Sequence, residues 1–490
     1  MKFAFIIIFI FSVLPVCFSA QAGKPVEEWN LTYGGRYGDG AWCLQETEDG
    51  GNILVGNSAS EGKGSDLFLI RTDGLGNCIW SKTLGGSGED VGYFVQETQD
   101  GGFIVTGSTK SFAMGEELLW LVKTDGNGSL LWDKTFGGFV SSSGDGGWSV
   151  DETDDGGYIT AGYTQTLGSG RKDLWLIKTD GQGSRIWDKT FGGREDDVGM
   201  SVLQSRDGGY IAAGRTASFG KGGDDIWLLK TDFLGKELWN ITFGGKQDDA
   251  GFQVVELADG YAVAGRTESG LDKKRIILIK ADLNGQKLWE RAYQGSSASS
   301  LQSTADGGFV IAGRVDNKKT GRDALIIKAD SKGSEEWSMT LGGSADDIGT
   351  FAVQRRDGSY SLAGITSSQG SGREDAWLVK IRVEPLSDEN KTQLQNSTLP
   401  NFASLNSTSS NSSSLNSSLL NSSSPKIVQF FPVGKEVNEA TKADQIKARE
   451  ISSDGVDSDI NAYSRNFEEK KKLLKEEMYG GNDASNRKDI

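Results

Sequence analysis

Residues Trp187–Asp232 read WDKTFGGREDDVGMSVLQSRDGGYIAAGRTASFGKGGDDIWLLKTD, and they contain three landmarks. The first is WDKTFGG at Trp187, the second is the Asp-Gly turn at Asp207, and the third is the apolar run IWLLKTD at Ile226. The runs between the turns are short, rich in β-branched, aromatic and apolar residues, and bounded by Gly and Asp. No helical apolar period of useful length is present. The segment therefore predicts four short β-strands.

The same landmarks occur seven times along the chain. The Trp landmarks lie 48 to 55 residues apart, at Trp29, Trp80, Trp132, Trp187, Trp239, Trp289 and Trp337. The Asp-Gly turns also number seven, at Asp49, Asp100, Asp155, Asp207, Asp259, Asp306 and Asp357. In the second unit the predicted strands are Tyr93–Glu97, Phe103–Gly107, Leu118–Lys123 and Leu130–Thr135. Four antiparallel strands in each unit of about 50 residues predict an all-β fold, a seven-bladed β-propeller over residues 23–385. Tryptophans at one repeated position are expected to fill the gaps between blades.

The two ends of the repeat region are out of phase. The first landmark, Trp29, belongs to a fourth strand, whereas the last, Ala376–Arg382, is a third strand with no fourth strand after it. The strand Glu28–Thr32 is therefore predicted to complete the last blade. Such closure removes exposed strand edges.

The composition excludes several functions. The 490 residues include 68 Gly, 6 Pro, 13 Trp and no His, with a net charge of −16. Without histidine there can be no Ser-His-Asp triad and no histidine-ligated metal. The acidic charge argues against a nucleic-acid partner, because phosphate binding needs a basic surface.

The N-terminus resembles an export signal. Lys2 precedes an apolar run and the small residues Ala20-Gln21-Ala22, so residues 1–22 are predicted to be removed, leaving no transmembrane segment. The alternative is a membrane anchor. Cys17 would leave with the signal. Cys43 and Cys78 are predicted to be free thiols, because they fall on the innermost and outermost strands of one blade, too far apart for a disulfide.

The composition changes after Pro385. Residues 386–425 are rich in Ser and Asn and are predicted to be a glycosylated linker; the alternative is an unmodified polar linker. Their Asn-x-Ser/Thr acceptors are Asn390, Asn396, Asn406, Asn411, Asn416 and Asn421. Weaker acceptors lie in the propeller at Asn30, Asn127 and Asn240. Residues 426–490 form a charged tail, expected to be disordered or marginally helical.

Two sets of charged residues are candidate sites. Asp residues recur after the Gly-Gly turns, where one blade crosses to the next, and carboxylate oxygens there suit calcium. This crossover set comprises Asp39, Asp90, Asp145, Asp197, Asp249 and Asp347, with Ser296 in the sixth unit. The alternative is a structural cap in each blade. Adjacent carboxylates such as Asp196 and Asp197 could also suggest a glycosidase, but similar pairs recur in other blades, which disfavours a catalytic role.

The second set lies in the variable loops between second and third strands. These loops are expected to share one face with the crossovers, and variable loops on a rigid scaffold usually carry binding. Their basic residues suit anionic sugars or acidic proteins, unless they are merely solvated. The set comprises Lys63, Arg171, Lys221, Arg322 and Arg373.

The repeats resemble the secreted propeller repeats of archaeal and bacterial surface proteins, in outline WxKTFGG, DGGYIxAG and WLxKTD. They are more distantly similar to the tryptophan-docking repeats of quinoprotein dehydrogenases, and the sixth unit departs most from the pattern. The resemblance implies an exported propeller and little about its chemistry. With no histidine and no catalytic cluster that breaks the repeat, we expect a monomeric, non-enzymatic propeller on the cell surface or outside the cell, without cofactor, that binds a glycan or a protein. The alternatives are a structural component of the cell envelope and a quinoprotein-like or sugar-active enzyme.

Overall fold

The computed structural model describes residues 23–59, 64–112, 116–138, 144–270 and 273–385. Within them, 28 strands form seven four-stranded antiparallel sheets, which confirms the predicted propeller. The predicted export signal, linker, tail and six C-terminal glycosylation acceptors lie outside the described residues. None of the described segments forms a helix that could cross a membrane.

The strands follow one order in each blade, from the channel outwards. The first strand of the chain is β1 (Lys24–Tyr33). Blade 1 contains β2 (Asp39–Glu46), β3 (Asn52–Ser58), β4 (Asp66–Thr72) and β5 (Cys78–Leu84). Blade 2 contains β6 (Asp90–Glu97), β7 (Phe103–Thr109), β8 (Leu118–Thr124) and β9 (Leu130–Phe136). Blade 3 contains β10 (Asp145–Glu152), β11 (Tyr158–Thr164), β12 (Asp173–Thr179) and β13 (Arg185–Phe191). Blade 4 contains β14 (Asp197–Gln204), β15 (Tyr210–Thr216), β16 (Asp225–Thr231) and β17 (Glu237–Phe243).

The remaining blades repeat this order. Blade 5 contains β18 (Asp249–Leu257), β19 (Gly260–Thr267), β20 (Arg275–Ala281) and β21 (Lys287–Tyr293). Blade 6 contains β22 (Ser297–Ser303), β23 (Phe309–Asn317), β24 (Gly321–Ala329) and β25 (Glu335–Leu341). Blade 7 contains β26 (Asp347–Gln354), β27 (Tyr360–Thr366) and β28 (Asp375–Glu384), with β1 as its outer strand. Blade 6 is therefore complete, although its sequence departs most from the repeat.

The ring closes through β1, as the phase of the repeat predicts. This strand pairs antiparallel with β28 from Lys24 opposite Glu384 to Tyr33 opposite Ala376, with a bulge between Glu27 and Trp29. The pairing is longer than the predicted Glu28–Thr32. The first strand of blade 1 also packs against β26 and β27 of blade 7. Every blade therefore has two neighbours.

The tryptophan landmarks lie between blades, as predicted. In six of the seven blade junctions the Trp of the outer strand packs against the Phe or Tyr that opens the second strand of the next blade; Trp187 and Tyr210, for example, have ring centroids 5.7 Å apart. The same Trp covers a turn glycine of that next blade. A Cβ on Gly235, which has a φ of 75°, would lie 2.8 Å from the Trp187 ring. This Trp wedge requires glycine at the turn and excludes water between the blades.

The Asp-Gly turns and the Lys or Arg of the third strands meet within each blade. Lys123 Nζ, for example, donates to Asp100 Oδ1 at 2.9 Å. The equivalent ion pairs are Arg71–Asp49, Lys178–Asp155, Lys230–Asp207, Lys280–Asp259, Lys328–Asp306 and Lys380–Asp357. The hairpin Asp residues therefore do more than shape the turn, which is all that the sequence predicted for them.

The two cysteines of the described chain occupy the expected strands. Cys43 lies buried on the innermost strand β2, Cys78 is exposed on the outermost strand β5, and both are free thiols. Burial raises the pKa of the Cys43 thiol to about 12, against hydrogen bonds with the backbone of Val95 and Leu44. Such a thiol is unreactive at neutral pH and serves packing.

Candidate functional site

Each innermost strand carries a β-bulge, always three residues after the position of the crossover Asp. The register slips by one residue there, for instance between Gly147 and Ser149, so Trp148 has no partner on β11. A bulge bends the strand and redirects the side chain of its extra residue. The seven bulge residues are Trp42, Tyr93, Trp148, Met200, Phe252, Ser299 and Thr350.

All seven bulge positions surround one mouth of the central channel. All but Ser299 and Thr350 are large and apolar or aromatic, so blades 1 to 5 form an arc and blades 6 and 7 leave a gap. In the arc, Tyr93 and Trp148 have centroids 4.3 Å apart and planes tilted by 34°, and Trp42 meets Tyr93 edge-on at 6.2 Å. The Trp42 indole donates a hydrogen bond to Asn57 Oδ1 at 2.9 Å. These ring contacts and the hydrogen bond therefore fix the orientation of the aromatic side chains in the arc.

The mouth encloses a cavity of about 460 Å³. It is lined by the bulge residues together with Ser149, Ser201, Gln253 and Ser297, among others. Phe94 and Phe351, with ring centroids 6.0 Å apart, line both this cavity and a second cavity of about 200 Å³ farther along the channel. The bulge residues therefore surround the cavity, and Phe94 and Phe351 separate it from the second cavity. Its volume is typical of small-ligand sites.

Three arginines line the cavity beside the gap in the arc. Arg266 and Arg314 hold the same position near the end of the second strands of blades 5 and 6, and Arg322 begins the third strand of blade 6. Arg322 is bound to Asp346, with Nη2 and Nε at 2.6 and 3.0 Å from the same oxygen. Neither Arg266 nor Arg314 forms an ion pair with any residue in the described ranges.

Arg314 and Arg266 each lack part of the environment that a buried guanidinium needs. Burial lowers the pKa of Arg314, and the nearby guanidinium of Arg322 lowers it further. The Nε of Arg266 is buried without a hydrogen-bond partner, and so is the indole nitrogen of Trp148 across the same cavity. Buried donors of this kind cost free energy until an acceptor reaches them. The mouth is therefore short of hydrogen-bond acceptors and of negative charge.

Of the basic loop residues predicted to bind a ligand, the structure places only some at the cavity. The crossovers and the loops do share one face, as the hydrogen bond from Ser371 Oγ to Gly35 O shows. Of the described members, Arg322 lines the cavity, whereas Arg171, Lys221 and Arg373 do not. Arg171 is exposed and lies 3.4 Å from Glu195. Lys63 falls in residues 60–63, outside the described ranges.

The crossover Asp set is not brought together. Each carboxylate is buried in its own blade and binds the turn before it. Asp197 accepts from Gly193 N at 2.7 Å and from Ser218 Oγ at 2.6 Å, and it also accepts from the Thr216 hydroxyl. Asp39, Asp90, Asp145, Asp249 and Asp347 accept equivalent hydrogen bonds from turn N–H groups. In the part of the chain that is described, no three His, Cys, Asp or Glu residues group as metal ligands. Calcium at these positions stays a prediction.

The sequence contained a signal for the arc. Three residues after a nearly invariant Asp, the repeats change from Trp42 and Tyr93 to Ser299 and Thr350. A position that varies inside an otherwise repeated strand does not serve the blade alone. The arginines carry a similar signal, because only blades 4, 5 and 6 have Arg at their position, and Arg215 of blade 4 is ion-paired with Asp224.

No family model matches the chain, and no curated protein matches it significantly. Solved structures with a similar fold include the Neurospora crassa Pan2 WD40 domain, at 11% identity and a TM-score of 0.47, covering 75% of this chain and 97% of that one. The Dos1 propeller gives 12% identity, a TM-score of 0.41 and coverages of 75% and 97%. YCF48 bound to a D1 peptide is 9% identical with a TM-score of 0.40, and the match covers 72% of this chain and 97% of that one. The strand pairing, and not these similarities, establishes the fold.

Proposed function

We propose that this chain is an exported, non-enzymatic binding module whose ligand site is the channel mouth lined by the bulge residues. The observation that supports the proposal most is the break in sevenfold symmetry at one repeated position. Five blades place large apolar or aromatic side chains there and two place hydroxyls, and the arginines lie beside those two. A position with a purely structural role in the blade would be expected to carry similar residues in every blade. A ligand in the mouth contacts several blades at once, so it favours different residues in each of them.

The lining favours binding over catalysis. The residues around the cavity of the mouth supply hydroxyls, one amide, guanidinium groups and aromatic rings. Among these described lining residues there is no carboxylate, lysine or thiol to act as a general base or nucleophile. The crossover carboxylates are engaged by backbone and hydroxyl donors, except that Oδ1 of Asp249 has no partner in the described chain. A scaffold that recognises a glycan or a protein therefore fits the site better than an enzyme does.

The location of the protein belongs to the same proposal. The apolar segment after Lys2, the Ala20-Gln21-Ala22 site and the cluster of acceptors from Asn390 to Asn421 favour export and a glycosylated linker. The linker would hold the propeller away from a surface. Mass spectrometry of the secreted chain, before and after glycan removal, tests both the cleavage after Ala22 and the use of the acceptors.

Binding is tested with the mature full chain on arrays of oligosaccharides and of peptides. Wild type is expected to bind a restricted set of probes, and Trp148→Ala and Tyr93→Ala are expected to lose that binding. Leu131→Ala is the matched control, since Leu131 is 56% exposed on the outer strand β9, away from the mouth. Binding that survives both mouth variants, or the absence of binding on both arrays, would overturn the proposal.

A further inference from the structure

The cavity of the channel mouth presents hydrogen-bond donors without acceptors. Trp148 Nε1 and Arg266 Nε are both buried and unpartnered, and they lie on blades 3 and 5, with Met200 of blade 4 between them. Both side chains line the same cavity, but the two nitrogens are themselves closed off from it, so a ligand rich in oxygen acceptors would satisfy them once the side chains shift to expose them.

The charge of the cavity is positive within an acidic protein. The chain carries a net charge of −16, yet the cavity lining includes Arg266, Arg314 and Arg322. The Asp346 carboxylate forms an ion pair with Arg322. Burial and the guanidinium groups of Arg322 and Arg266 lower the pKa of Arg314, Asp316 raises it, and the net shift is downward. Arg266 and Arg314 have no ion-pair partner in the described chain. A carboxylate placed between them would accept charge-assisted hydrogen bonds and relieve their mutual repulsion.

The remaining walls suit a ring with an apolar face. Tyr93 and Trp148 stack on each other, with ring centroids 4.3 Å apart, and the pair leaves one outer ring face for a ligand. Ser299 adds a short polar group to the lining, whereas the polar groups of Ser149, Ser201, Gln253 and Ser297 already hydrogen-bond to nearby backbone. A pyranose ring has both properties, since its C–H face packs on aromatic rings and its hydroxyls bind short polar side chains. A long polyanion would be repelled by the acidic body of the protein. The cavity therefore suits a short or terminal acidic sugar.

Resting on the proposed function of the channel mouth, the geometry points to a carboxylate-bearing glycan as the ligand. The sugar rings lie against Tyr93 and Trp148, and the carboxylate lies between Arg266 and Arg314.

The test uses the mature full chain and paired probes. An array of uronic-acid and sialic-acid oligosaccharides is printed beside the methyl ester of each oligosaccharide, which removes the charge and keeps the rings. We expect wild type to bind at least one acidic member about tenfold or more tightly than its ester. Arg314→Gln and Arg266→Gln are expected to remove that preference, and Trp148→Ala is expected to remove binding to both members. Arg171→Gln, on the same face but outside the cavity, is the matched control. Unchanged melting temperatures exclude unfolding as the cause.

Three outcomes overturn the inference. Binding of a neutral glycan or a peptide that depends on Trp148 but not on Arg314 would leave the proposed function standing and remove the acidic sugar. Stronger binding of acidic peptides than of any acidic sugar would assign the site to a protein partner. Equal binding of acid and ester by a chain that tolerates Trp148→Ala would remove both the inference and the proposed function.

Discussion

At the scale of single residues, the ion pair between the Lys or Arg of the third strand and the hairpin Asp recurs in all seven blades. Lys123 is almost fully buried, and it donates to Asp100 Oδ1 at 2.9 Å and to Thr124 O at 3.0 Å. Asp100→Asn leaves the ammonium group without its counter-charge. Because the Asp100 side chain is 60% exposed, we expect a loss of only about 1–2 kcal/mol in the free energy of unfolding. Urea denaturation measures this loss, and Lys123→Met, which removes the buried charge, is expected to cost less.

The same ion pair predicts a dependence of stability on acid. Burial alone would raise the pKa of Asp100, but hydrogen bonds from Thr98, Gly102 N and Lys123 outweigh it and hold the pKa at about 2. A carboxyl whose pKa is depressed by folding stabilises the protein above its unfolded pKa near 4. The contribution of Asp100 should therefore be lost as the pH falls from about 4 to about 2. Melting temperatures across this range should fall less steeply in Asp100→Asn than in wild type; parallel curves would contradict the assignment.

The crossover Asp residues make a second prediction at this scale. Asp197 accepts four hydrogen bonds in a buried turn, so Asp197→Ala should cost about 2–4 kcal/mol by leaving these donors unpaired. Calcium at this position would have to displace these donors, and a melting temperature of wild type that does not change in millimolar calcium would remove the predicted metal site. A rise with calcium that Asp197→Ala reduces would instead establish the metal site, because a ligand that binds only the folded state stabilises it.

At the scale of strands and hairpins, the Trp wedge couples neighbouring blades. Gly235→Ala places a methyl group within 2.8 Å of the Trp187 ring and a side chain on a residue with a φ of 75°. We expect it to destabilise the protein by about 2–3 kcal/mol, from backbone strain and displacement of the ring. Gly156→Ala is the matched control, because its φ is also 75° but nothing lies within 4 Å of the added carbon. Equal losses in the two variants would leave the wedge without a role.

Strand number, strand order and closure were predictable from the sequence because they follow from local patterns that recur seven times. Turn glycines, apolar runs and the unmatched strand at Trp29 can each be recognised from a few consecutive residues. The aromatic arc at the channel mouth was not predicted, because it depends on a one-residue slip between β10 and β11 that places Trp148 at the channel. In the sequence, Trp148 is one more apolar residue of a strand. The pairing of Asp100 with Lys123 was missed for a related reason, since Asp100 lies in the turn between β6 and β7 whereas Lys123 lies on β8.

At the scale of the whole molecule, stability depends on the strand that joins the two ends of the propeller. Deleting residues 23–34 would remove β1, expose the edge of β28 and uncover the blade 1 surface that Trp29 packs against. We expect the truncated chain to melt at a lower temperature and to aggregate through the open edge. Size-exclusion chromatography and thermal melts measure both effects. A monomer with the melting temperature of wild type would show that closure by β1 contributes nothing.

The junction between blades 7 and 1 departs from the repeat at two positions that bind each other. Where the other blades open their second strand with Phe or Tyr, blade 1 has Asn52, and where most turns have Thr or Ser, blade 7 has Arg355. Arg355 is buried; its Nη1 donates to Asn52 Oδ1 and its Nη2 to Gly50 O, each at 2.7 Å.

The two departures are therefore one feature, and a double-mutant cycle tests it. Arg355→Thr removes the donors to Asn52 Oδ1 and Gly50 O and the ion pair with Glu46, and we expect it to cost about 2–4 kcal/mol. Asn52→Tyr alone places a ring where the guanidinium lies and should also destabilise the protein. In the double variant the new ring can meet Trp29 as Tyr210 meets Trp187, so the double variant should be more stable than the sum of the single losses allows, by about 1–3 kcal/mol. Strictly additive losses in urea denaturation would mean that Arg355 and Asn52 stabilise the junction independently.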